Sequence, residues 1–110
     1  MKRRLGVRMR TDLRVIERSR TSVVQCRGIE LSPTGILLDR GRRASAHAKP
    51  LFVHLELVLP EQARTISAIA RPIWQRGSQQ ALKFIRISDA DRLTLAEHLD
   101  LLERRGAVVC

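Results

Sequence analysis

The stretch Pro50–Pro60, PLFVHLELVLP, places Leu51, Val53, Leu55, Leu57 and Leu59 on one face of an extended chain and Phe52, His54, Glu56 and Val58 on the other. Successive side chains of a strand point to opposite sides, so an apolar face repeating every second residue marks a strand with one side in a core. A proline brackets the run at each end. Upstream, Thr11, Leu13 and Val15 alternate with Arg10, Asp12 and Arg14, which predicts a half-buried strand over Met9–Glu17. SVVQCRGI predicts a second strand, and Gly35 to Leu38 a short third one, followed by a basic stretch, DRGRRASAHAK, without period that reads as a loop. Downstream, TISAIARPIWQ carries Pro72 inside it, which implies a bulge or an edge position, and RGSQ turns the chain into ALKFIRI. That makes about six strands.

The C-terminal end has a different period. Leu95, Leu99 and Leu102 recur at helical spacing behind Ser88 or Asp89 as N-cap, and Gly106 stops the run. Short strands joined by turns and followed by one amphipathic helix predict a mainly β fold: a small six-stranded antiparallel β-barrel whose open end or flank a C-terminal α-helix covers. At 110 residues the chain suits one domain. It divides into a flexible basic arm over residues 1–8, the barrel with its helix over 9–105, and a tail over 106–110. Hydrophobic residues make up 44% of the chain and aromatics only 3%, so the core must be built from Leu, Ile, Val and Ala.

Lys and Arg number 21 against 11 Asp and Glu, a net charge of +10, and eight of the basic residues lie between Lys2 and Arg20. Such a surplus implies an anionic partner, whether nucleic acid, an acidic membrane or a phosphate-bearing ligand. No apolar run reaches the length of a membrane span, and MKRRLGVRMR has no apolar core of a signal peptide, so a cytoplasmic protein is expected. Cys26 and Cys110 have no CxxC spacing and no neighbouring His, and are expected to be free thiols. His47, His54 and His98 are scattered. No nucleophile sits beside a base, no ligand set for a metal occurs, and GxGxxG and GxxxxGK[ST] are absent. The expectation is therefore no catalytic residues, no metal and no cofactor.

The chemistry that remains lies at two places. Arg4 and Arg8, spaced as RLGVR, immediately precede the first strand, and Glu30–Gly35 reads ELSPTG, 22 residues beyond Arg8. Ser-Pro followed by Gly is in the first place a turn, closed where glycine takes positive φ. A guanidinium fork also grips phosphate oxygens and pairs with O6 and N7 of guanine. Facing it, Glu30 can accept from guanine N1–H and N2–H₂, Ser32 can bond phosphate or base, and Gly35 admits close backbone approach. Together the two segments can clamp a guanine nucleotide. RxxxR also occurs at Arg10–Arg14 and Arg14–Arg18, but those arginines fall within the predicted first strand.

These residues resemble the PilZ domain, a bacterial receptor for the second messenger cyclic di-GMP, whose signature is RxxxR on an N-terminal arm and [D/N]xSxxG in the turn after the second strand. Arg4 and Arg8 match the first element, Ser32 and Gly35 the second, and the LELVLP, IARPIW and ALKFIRIS strands and the DADRLTLAEHL helix follow in family order, covering Arg3 to Leu102. Two departures stand out: Glu30 replaces Asp or Asn, setting the carboxylate one methylene further out, and Ala81 stands where many relatives have Gly. The resemblance implies cyclic di-GMP as ligand, Arg4, Arg8, Glu30, Ser32 and Gly35 as its contacts, and a downstream protein partner. Arg3 is a further candidate contact. Trp74 has two readings, core or barrel rim on one side and a stacking platform for guanine on the other. The alternatives are a PilZ-like adaptor that has lost the ligand through Glu30, and a basic barrel that binds nucleic acid. The scarcity of aromatics argues against the last.

Overall fold

The computed structural model describes residues 7–41, 51–60 and 64–109. Six strands form: β1 Met9–Arg18, β2 Val23–Leu31, β3 Gly35–Asp39, β4 Val53–Val58, β5 Thr65–Arg76 and β6 Gln79–Ile87, followed by the helix α1 Asp89–Arg104. All neighbours are antiparallel, and the sheet closes on itself in the order β1-β2-β3-β6-β5-β4. Closure leaves no open sheet edge to template association. Most of the basic loop after β3, with His47, lies outside the described residues, as does Cys110.

Alternation fills the barrel as the sequence predicts. Val53, Leu55 and Leu57 of β4 are buried with Leu59 just beyond, and Leu13 and Val15 face them from β1. Leu51 is exposed, because the chain has not yet entered the sheet at that point. Phe84 is the one aromatic in the core; Phe52 and Trp74 are outside it. Cys26 is a free, buried thiol, and burial pushes its pKa up despite the opposing charge of Arg40, which makes it a poor nucleophile.

Ser88 caps α1, its Oγ accepting from Asp91 N at 3.1 Å. The Asp91 carboxylate in turn accepts from Ser67 N at 3.2 Å and pairs with Arg64 at 3.1 Å, which fixes the start of the helix to β5. Leu95, Leu99 and Leu102 complete the core at one end of the barrel. After α1, Gly106 at φ +76° reverses the chain. Residues 107–109 then run beside the start of β1: Arg10 N donates to Ala107 O at 2.6 Å, Val109 N to Arg8 O at 2.8 Å, and Met9 bridges Val108. The segment read as a tail thus pairs with the first strand at the root of the N-terminal arm. Among the described residues no helix is long and apolar enough to cross a membrane.

Candidate functional site

The turn between β2 and β3 is locked from within. Ser32 is buried, and its Oγ accepts from Thr34 N at 3.2 Å and Gly35 N at 3.1 Å, while Ser32 N donates to Gly35 O at 3.0 Å. Thr34 O receives Phe84 N of β6 at 2.8 Å, so the turn is also tied to its neighbouring strand. The glycine is not there for positive φ; the described glycines with that conformation are Gly41, Gly77 and Gly106. A Cβ on Gly35 would stand 2.4 Å from the carbonyl oxygen of Leu82, so glycine is required by the close approach of β6. Ser32 and Gly35 therefore shape the turn.

Glu30 lies one residue before β2 ends, and a bulge decides where it points. Gly28 pairs with Leu38 and faces the barrel interior, and strict alternation would send residue 30 inward too. The ladder instead resumes at Glu30 opposite Leu37, leaving Ile29 as the extra residue, so the parity flips and Glu30 emerges on the outer face. There the guanidinium of Arg8 meets it as an ion pair, Nη1 to Oε1 3.1 Å, without hydrogen-bond geometry. The structure thus brings Arg8 and Glu30 together across the arm and the turn strand. Arg3 and Arg4 lie outside the described residues.

The same device exposes Trp74. Pro72 pairs with buried Leu82, but the ladder resumes at Trp74 opposite Ala81, with Ile73 bulged between them. The bulge expected at Pro72 is therefore present, and it turns the indole out of the core, leaving it 44% exposed with the Arg76 guanidinium 5.7 Å from its ring centroid. Following the pairings across the sheet gives one outward row: Arg10, Glu30, Leu37, Ala81 and Trp74. Strands lie about 4.8 Å apart, so Glu30 and Trp74 are separated by roughly 14 Å around the barrel. That span exceeds one nucleobase and suits a dinucleotide. Small Ala81 and partly buried Leu37 form its floor. Sequence reasoning missed Leu37, whose place in the row depends on strand order and on the bulge at Ile29, and Arg76, whose guanidinium meets the Trp74 ring only because the bulge at Ile73 turns the indole outward.

The site thus lies on a closed six-stranded antiparallel barrel with a helix over one end and Arg8 paired to the strand that enters the β2–β3 turn. The chain belongs to the PilZ domain family, whose model matches residues 2–101. PilZ domains generally bind cyclic di-GMP or act as adaptors and are not enzymes as a class. Among solved structures, the inhibitor of motility MotI/DgrA of Bacillus subtilis superposes with a TM-score of 0.73 at 21% identity, covering 96% of this chain and 52% of that one. The chain thus spans about half of that protein's length. The PilZ domain of CeSA from a cellulose-synthesizing bacterium superposes with a TM-score of 0.66 at 16% identity, covering 87% of this chain and 97% of that one. At such identities both likenesses concern the fold. No curated protein sequence matches the chain.

Proposed function

We propose that the chain is a non-enzymatic cytoplasmic receptor for cyclic di-GMP, bound on the outer row between Glu30 and Trp74. The observation that carries this reading is the meeting of Arg8 with Glu30, whose outward register row runs to the exposed Trp74 roughly 14 Å away. Arg8, with Arg3 and Arg4 of the arm, supplies guanidinium donors to phosphate and guanine, Glu30 accepts from the Watson–Crick edge, and Trp74 offers a ring for stacking. Calorimetric titration with cyclic di-GMP tests it. The wild-type protein should bind saturably and Arg8→Ala should weaken binding by roughly 10–100-fold, the loss of charge-assisted hydrogen bonds. Absence of heat at high micromolar ligand would reject the receptor.

The closed Arg8–Glu30 pair also favours a second reading, an adaptor whose own carboxylate already satisfies the arginine that a ligand would need. Glu30→Asp separates the two. Shortening the acid by one methylene should release Arg8 and tighten cyclic di-GMP binding several-fold in a receptor; in an adaptor the wild-type protein takes up no ligand and only the Glu30→Asp variant binds.

In the receptor, the ligand's phosphates draw the like-charged arm residues Lys2, Arg3 and Arg4 onto the barrel and change the surface shown to a protein partner. The expected result is slower tryptic cleavage in residues 1–8 when cyclic di-GMP is present. An arm cut at the same rate with and without ligand removes this switch.

A further inference from the structure

We propose that Arg71 and Lys83, on the outer face of β5 and β6, form a second phosphate grip for the same ligand. This rests on the receptor reading above and extends it to two residues outside the sequence signature. Arg71 pairs directly with Lys83, which pairs directly with Gly35, so these three make the outward row next to Trp74, Ala81 and Leu37. Lys83 lies two residues beyond Ala81 on the same face of β6, about 7 Å along the strand. Because Gly35 has no side chain, nothing from β3 stands between Lys83 and the turn.

Two features distinguish this pair from an ordinary solvated surface. Like charges set directly opposite each other on adjacent strands are destabilising; where Arg14 stands opposite Arg27 on β1 and β2, the Asp12 carboxylate 2.9 Å from Arg27 offsets that cost, and the hairpin that carries Arg71 and Lys83 has no such acid. Moreover, the sequence from Thr65 to Ile87 contains Arg71, Arg76, Lys83 and Arg86 and no acidic residue. Elsewhere on the barrel acids are interleaved with the cations, pairing Arg8 with Glu30, Arg18 with Glu56, Arg27 with Asp12, Arg40 with Glu17 and Arg64 with Asp91. The hairpin that borders the proposed site thus carries cations alone.

The ligand's charge makes the need specific. Cyclic di-GMP carries two phosphodiester anions, and the Arg8–Glu30 pair contributes almost no net positive charge toward them. Arm arginines can serve one phosphate. Arg71 and Lys83, with long side chains on adjacent strands, converge on the other, and the anion relieves the repulsion between them.

The test is calorimetric titration with cyclic di-GMP at low and high salt, comparing wild type, Arg71→Gln/Lys83→Gln, a charge-matched control Arg14→Gln/Arg92→Gln, and Arg8→Ala. The double variant should bind at least tenfold more weakly and lose part of its salt dependence, while the control stays within about twofold of wild type. Removing two opposed charges should leave the melting temperature unchanged or higher, so weaker binding would not be a folding defect. Arg71→Lys/Lys83→Arg should restore wild-type affinity. Wild-type affinity in Arg71→Gln/Lys83→Gln together with loss in Arg8→Ala overturns the second grip and leaves the receptor standing. A wild-type protein that takes up no ligand overturns both.

Discussion

Substituting alanine at Gly35 is expected to lower the melting temperature by roughly 5–15 °C, a larger effect than at any glycine here that merely has positive φ. The added Cβ would sit 2.4 Å from Leu82 O, closer than two such atoms can approach. The obstruction is backbone, which cannot swing aside as a side-chain tip can. Strand β6 is held at that point by the Gly35–Lys83 and Ile36–Leu82 pairings and by Phe84 N bonding Thr34 O. Relief requires β3 and β6 to separate locally, and overpacking of this kind costs about 1–3 kcal/mol. Gly77, at φ +60° and with open space for 4 Å around the point where a Cβ would stand, gives the contrast: Gly77→Ala should cost about 1 kcal/mol. Circular dichroism melts of both variants check the ordering. If Gly35→Ala melts like wild type yet loses cyclic di-GMP, the glycine serves the ligand and the turn tolerates a side chain.

Much of the barrel was legible because its strands keep period two over the residues that matter. Val53, Leu55, Leu57 and Leu59 are buried as their alternation requires, and Ser88, Leu95, Leu99 and Leu102 mark the helix that their spacing predicts. What composition cannot carry is parity after a bulge. Ile29, Ile73 and Ile85 each add one residue to a strand, and an isoleucine in a bulge looks like any strand isoleucine. Only Pro72 announced its bulge. Trp74 therefore kept two readings in the sequence, and the outward aim of Glu30 was fixed by the extra residue Ile29. Long-range partners were equally hidden: nothing local to Ala107–Val109 says that it pairs with Arg8–Arg10, or that the acid-free hairpin borders the ELSPTG turn.

The other large effect is expected at the end of the barrel opposite the helix, where either Glu17→Ala or Arg40→Ala should destabilise the protein by about 3 kcal/mol, measured by urea unfolding. Glu17 lies opposite buried Leu55, and Gln80 opposite buried Leu38, so both point toward the interior. Arg40 reaches between them, its Nη1 2.5 Å from Glu17 Oε1 and its Nε donating to Gln80 Oε1 at 2.7 Å, with both members of the ion pair only 14% exposed. At the helix end leucines close the core; here a charged pair does. Such a pair gains little over apolar residues of similar volume, because desolvating two charges offsets their attraction, but removing one partner strands the other away from water. Glu17→Leu/Arg40→Leu should accordingly recover most of the stability that either single alanine loses, a coupling of about 2 kcal/mol or more. Single variants costing under about 1 kcal/mol would identify the pair as a solvent-screened surface bridge and transfer closure of this end to Val15, Leu38 and Leu55 alone.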